Sequence, residues 1–236
     1  MNARFHLAPH VTACRVGDQV ILLDLRRNRY IGVSASAGAQ LGEQVAGWPA
    51  PRLGSPVPSR GHGSNALQGL IRGDLVRPGH RIPGQRTELP AVARALLVDA
   101  VETDHRMLRQ IGPQAAMSVV RAWAWLRLCS FATITTLVAR YRDSCVAVRS
   151  KPRHAPVLAV AAAYEALRPL LLTSRDRCLH DSLALTLLLA TQGIASCWVL
   201  GVKVRPFGAH AWVQMDDLVL GDEHFRVGQF QPILVA

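Results

Sequence analysis

The chain has 236 residues, 50% of them hydrophobic, so it can build the core of one large domain or two small ones. No stretch reads as a membrane span, because residues 155–172 carry Glu165, Arg168 and Pro169 where a spanning helix needs roughly 20 mostly apolar residues; the first ten residues lack the apolar run of a secretory signal, so a cytoplasmic protein is expected. The net charge of +11 lies almost wholly before residue 151, yet 25 of the 27 basic side chains are arginine, no basic run exceeds two and aromatics are sparse, so no nucleic-acid partner is expected.

Residues 11–33 read as three short strands: Val11 to Arg15, Gln19 to Leu25 after a turn at Gly17-Asp18, and Arg29 to Val33 after a turn at Arg26-Arg27-Asn28. Ser34 or Ser36 then caps a helix to about Ala46, with Leu41 and Val45 on one face and Gly47 as the stop. Residues 49–63 are too rich in Pro, Gly and Ser for regular structure. A helix over 65–72 and a short strand over 75–77 complete a unit of residues 1–80 that looks like a small winged-helix domain. A polar linker follows at 81–90, and residues 91–236 form the second domain. Helical patterns are expected over 89–110, over 117–141 with a break near Cys129-Ser130, and over 156–172.

Asp176 is placed to cap the next helix, which puts Cys178 at its second position. There the unpaired backbone N–H groups and the positive end of the helix dipole favour thiolate over thiol, and Arg175 and Arg177 act the same way. The helix runs to about Gln192 and is so rich in leucine that it must be central and buried. Strands at 196–204, 209–215 and 218–222 follow, and His210, Trp212 and Gln214 share one face of the middle strand. A two-residue loop at Asp216-Asp217 would set Asp222 opposite Ala211, on the wrong face for His210. A three-residue loop sets Asp222 opposite His210, so the odd loop is predicted if the two side chains work together.

A thiol at a helix start, followed by a histidine and a carboxylate on neighbouring strands, suits acyl transfer, with Cys178 as nucleophile, His210 as general acid and base, and Asp222 as its orienter. Each residue also has an ordinary reading: a buried helix cysteine, a half-buried strand histidine, a turn aspartate. His180 and Asp181 sit at i+2 and i+3 from Cys178, which does not bring an imidazole against the thiol, while His224 is an alternative in another register. Cys178, His180, His210 and Asp222 match no metal-ligand spacing, so neither metal nor cofactor is expected. The other cysteines, Cys14, Cys129, Cys145 and Cys197, form no CxxC pair and read as small buried hydrophobes of a reduced protein.

Three blocks carry a family resemblance: Arg177-Cys178-Leu179-His180-Asp181-Ser182-Leu183-Ala184-Leu185; Gly201-Val202 through Pro206-Phe207 to Ala209-His210-Ala211-Trp212-Val213; and Gly221-Asp222. They resemble the B proteins of lasso-peptide biosynthesis, in the transglutaminase-like cysteine peptidase superfamily. Gln214 stands where that family has Glu, and Asp216-Asp217 where an Asp-Gly turn is common. The resemblance implies an α+β architecture, with a winged-helix-like recognition domain fused to a transglutaminase- or papain-like cysteine peptidase domain. It also implies a substrate, a ribosomally made precursor peptide whose leader is bound and then cut off in antibiotic biosynthesis, and a partner, an ATP-dependent, asparagine-synthetase-like cyclase. The leader would add a strand to the edge at Arg29 to Val33, with Arg29, Tyr30, Ile31 and Val33 in contact. Two other functions remain open on the residues alone: a transglutaminase, which uses the same three side chains, and a winged-helix DNA-binding protein.

Overall fold

The computed structural model describes residues 4–49, 63–79, 94–95, 105–146, 154–171 and 178–236. The loop expected at 49–63 and the linker at 81–90 lie almost entirely outside these residues, as do Asp176, Arg175 and Arg177. The chain is α+β and divides into two compact units, one of residues 1–88 with 202–208 and 231–233, the other of residues 89–201 with 209–230 and 234–236.

In the first unit, β2 (Val11–Val16), β3 (Gln19–Asp24) and β4 (Arg29–Val33) form an antiparallel meander. The β2–β3 register pairs Val16 with Gln19, leaving Gly17 at φ +60° and Asp18 as a two-residue turn. At the β3–β4 turn the buried Asp24 accepts hydrogen bonds from the Arg26 and Arg27 backbone N–H groups, and Asn28 takes a positive φ of 52°. Ser34 caps α1 (Ala35–Gln44) by accepting from Ala37 N–H. α2 (Gly63–Arg72) turns through Asp74 into β6 (Val76–Pro78). A strand not foreseen from sequence, β1 (Phe5–Leu7), pairs with β6 on one side and with the two-residue β5 (Val45–Ala46) on the other. Val20, Leu22, Leu41, Val45, Leu70 and Leu75 form the core between strands and helices.

The second unit centres on α6 (Cys178–Thr191), which is buried from His180 through Ala190. It packs against α3 (His105–Leu128), α4 (Phe131–Val146) and α5 (His154–Leu171). The break expected near Cys129-Ser130 separates α3 from α4. The helix expected over 89–110 is overturned, because Arg94–Ala95 form a strand, β7, and α3 begins only at His105. Nothing in a two-residue strand distinguishes it from a helical stretch except its parallel partner far along the chain. The sheet runs β11-β8-β9-β10-β7, with β8 (Cys197–Val204), β9 (Phe207–Met215), β10 (Leu218–Leu220) and β11 (Gln231–Val235). A one-turn helix, α7 (His224–Val227), precedes β11.

Gly201 on β8 lets the sheet close over Trp212. A Cβ there would lie 2.6 Å from the indole ring and 2.9 Å from Phe230 Cβ. Gly201→Ala is therefore expected to destabilise the protein by about 1–3 kcal/mol, the range for overpacking a closed site. Chemical denaturation would measure it, and an unchanged midpoint would show that the ring moves freely. The expectation of four buried structural cysteines is corrected: Cys14 is buried, whereas Cys129, Cys145 and Cys197 are partly exposed, Cys129 at the break between helices and Cys145 near the end of α4.

Candidate active site

Cys178 is the first residue of α6, and its thiol is half-buried. His210 lies on β9 in the midst of the sheet and is 7% exposed. The structure brings the two together, with the Cys178 sulfur hydrogen-bonded to the His210 ring and to the backbone N–H groups of Ala211 and Leu179. His210 Nε2 donates to Asp222 Oδ2, and Asp222 Oδ1 accepts from the Glu223 N–H, so both carboxylate oxygens are fixed. With Nε2 taken, Nδ1 is the nitrogen that serves the thiol.

The hairpin that carries this pair has a different register from the one predicted. Leu218 pairs with Met215, Val219 with Gln214 and Leu220 with Val213, so the loop is the two-residue Asp216-Asp217, with Asp216 at φ +53°. Continued past Leu220, that ladder would place Asp222 on the face away from His210. Instead β10 stops at Leu220, and Gly221, at φ +70°, breaks the alternation and turns the Asp222 side chain back to the imidazole. Asp222 is the second residue beyond the end of β10, where strand alternation no longer holds.

His210, Trp212 and Gln214 lie on one face, as their spacing predicts. Trp212 stacks on the imidazole with ring centres 6.3 Å apart and donates its indole N–H to Gln214 Oε1, and Phe230 covers the imidazole at 5.1 Å. His180 turns away from the thiol to Val119 O on α3, at 2.9 Å from Nε2, and His224 is exposed on α7. Neither stands in for His210. Among the described residues no group of three His, Cys, Asp or Glu side chains could hold a metal ion.

Burial pushes the Cys178 thiol up, but the His210 hydrogen bond and the Ala211 and Leu179 N–H groups outweigh it, and the thiol lies below its ordinary value. For His210, burial opposes the cation, yet the Asp222 hydrogen bond and charge, aided by Cys178, raise it to about 9. A lowered thiol beside a raised imidazole favours the thiolate–imidazolium pair.

Sequence reasoning passed over one group of buried and half-buried residues beside this site. Tyr164, Glu165 and Arg168 of α5 meet Asp181 of α6. Tyr164 donates to Asp181 Oδ1 at 2.8 Å, Arg168 pairs with Asp181 Oδ2 at 2.8 Å, and Arg168 donates to Glu165 Oε2 at 3.2 Å. The signal was present as Glu165 and Arg168 at i, i+3 in an otherwise apolar helix.

In the first unit, a groove of about 480 Å3 runs beside β4, which among the described residues is the last strand of its sheet, next to β3. Arg29, Ile31 and Val33 line it, with Ala37 and Leu41 of α1 and Ala66 and Leu70 of α2 opposite. Tyr30 is not among its lining residues.

A thiol at the end of a buried helix, with an imidazole and a carboxylate from the adjoining sheet, is the arrangement of the papain- and transglutaminase-like enzymes that move acyl groups through a cysteine. Residues 116–235 match the Transglut_core3 family, described as the transglutaminase-like superfamily, and the chain belongs to it. No curated protein and no solved structure matches the chain. No described helix is long and apolar enough to cross a membrane.

Proposed function

We propose that this protein is a cytoplasmic cysteine leader peptidase, which holds the leader of a ribosomally made, lasso-type precursor in residues 1–80 and cuts it off with residues 91–236. The observation that carries this reading is the convergence of Cys178, His210 and Asp222. The groove along β4, the last strand of its sheet among the described residues, adds support, since a sheet edge beside an apolar cleft accommodates an extended peptide as an extra strand. The α1–α2 face behind that edge is the reason to describe the first unit as winged-helix-like.

The chemistry balances without a cofactor. The Cys178 thiolate attacks the carbonyl carbon of the last leader residue and forms a C–S bond. The backbone N–H of Cys178 is one donor for the developing oxyanion. His210 gives its proton to the leaving amine as the C–N bond breaks, which leaves a thioester and a neutral imidazole. Water then adds to the thioester carbonyl while His210 takes its proton, and the C–S bond breaks to restore thiolate and imidazolium. The freed core-peptide amine is the group that an asparagine-synthetase-like cyclase would join into a ring. A transglutaminase would differ only in the second half, where an amine replaces water.

Mass spectrometry of the precursor after incubation with wild type and with Cys178→Ala tests the reading. A single cut with wild type alone is expected, and a labelled amine joined to the leader's C-terminal carbonyl in place of the core peptide would instead identify amide exchange. If neither protein cuts, with or without the cyclase, while the leader still binds, the peptidase reading is overturned. For the groove, Ile31→Ser should weaken the binding of a fluorescent leader peptide about tenfold, from lost apolar contact, and leave the alkylation rate of Cys178 unchanged. Unaltered leader affinity would place the leader elsewhere.

A further inference from the structure

We propose that Glu165 is a positioning residue for Asp222: its carboxyl is the wall against which the Gly221 bend closes, and it ties that bend through Arg168 to Asp181 in the helix that carries Cys178. The proposal rests on the reading that Cys178, His210 and Asp222 act as one unit.

The bend is what delivers the carboxylate to the imidazole, because the β9–β10 register alone would send Asp222 to the other face. It has almost no room to move. A Cβ on Gly221 would lie 2.9 Å from Glu165 Oε1 and 3.2 Å from Leu185 Cδ2, so the glycine packs directly on the carboxyl and on α6. Glu165 Oε2 is held by Arg168, whose other nitrogen holds Asp181 at 2.8 Å. Asp181 is one turn beyond Cys178 on α6 and is pinned from α5 by the Tyr164 hydroxyl. A connected path of side chains therefore joins the mount of the thiol to the mount of the carboxylate without passing through the imidazole.

Glu165 Oε1 is buried and has no hydrogen-bond partner among the described residues. An ionised oxygen left so would be costly, whereas a protonated carboxyl is tolerated. The surroundings supply the proton's reason. Glu165 and Asp181 share one guanidinium, Arg168, with Asp222, Tyr164 and the His210–Cys178 pair as the other titratable groups at hand; His180 points to α3. Burial first, then the charges of Asp181 and Asp222, hold Glu165 above the ordinary carboxylate range against the pull of Arg168. Glu165 supplies the shape against which the Gly221 bend closes, and its surroundings favour the protonated carboxyl more than water does.

The test is the pH dependence of Cys178 alkylation by iodoacetate, an anion drawn to the thiolate by the neighbouring imidazolium, which needs no peptide and so reads the site even if the leader reading fails. In the wild type the fast-reacting window should open below the ordinary thiol range and close near 9, as His210 loses its proton. Glu165→Ala should narrow that window by about one pH unit at its upper limb, as Asp222 loosens and the imidazolium loses support. Glu165→Gln, which keeps the shape of the side chain, should restore it. Should the alanine variant fail to fold, Glu165→Asp, one methylene short, should give a partial narrowing. A window unchanged in every variant, with only thermal stability lowered, would reduce Glu165 to a structural residue. Equal narrowing in Glu165→Gln and Glu165→Ala would show that its charge, not its bracing, is what matters. Either result overturns the proposal.

Discussion

Cys178→Ala removes turnover altogether, by at least about four orders of magnitude, and removes the protein's fast-alkylating thiol with it. Groups that act as a unit fail as a unit, so losing the nucleophile leaves only what binding and oxyanion donors supply. The loss can be assigned to chemistry because the substitution deletes one sulfur at the edge of the core and leaves α6 packed from His180 onward. Cys197 is the control. Burial pushes its thiol up, so it offers little thiolate at neutral pH, and Cys197→Ala should leave both cleavage and alkylation as they were. Precursor cleavage and iodoacetamide labelling, followed in parallel at pH 7, check both statements. Cleavage that survives in Cys178→Ala would move the chemistry to another residue.

Asp222→Asn has the next largest effect, a fall in kcat of about 10^3- to 10^4-fold with a displaced pH profile. In the proposed mechanism His210 is the proton donor to the leaving amine, and its proton is lost as pH rises through about 9. Without the carboxylate, only Cys178 still opposes the effect of burial on the imidazolium, so the proton is lost at lower pH and the alkaline limb moves down. An asparagine also presents an N–H where Nε2–H needs an acceptor, unless the amide turns its oxygen to the ring. Stability follows the same sign. Because His210 is raised from 6.5 to about 9 in the folded chain, its contribution is full below 6.5 and fades as pH rises through 9. Asp222→Asn should therefore lose stability most at acidic and neutral pH and least above 9. Alkylation rates and denaturation midpoints across pH 5 to 10 measure both effects, and a profile superimposable on wild type would remove Asp222 from the site.

Much of this site is written in short local patterns. The leucine run after Cys178 can only be a buried helix, and the alternation of His210, Trp212 and Gln214 can only put them on one face of a strand. What local pattern cannot supply is where a ladder stops. The even loop at Asp216-Asp217 and the positive φ at Gly221 are each common features, and only their combination restores Asp222 to the imidazole. β1, β5 and β7 were missed for a related reason: strands of two or three residues exist because of distant partners, Phe5 against Pro78 and Leu218 against Arg94. Glu165 was visible only as a blemish on an apolar helix, and its neighbours across the fold give it meaning.

α6 has no free side. Leu183, Leu187, Leu188 and Leu189 are buried all round it, Trp198 hydrogen-bonds to Ser182, and His180 is anchored to Val119. Sliding or tilting such a helix by an ångström would open voids on one side and collide on the other, in an interior packed as densely as a crystal. The thiol therefore has no soft direction in which to swing out of line. An enzyme built this way cannot be throttled by moving its nucleophile. On the proposed reading, its throttle would be the delivery of the peptide.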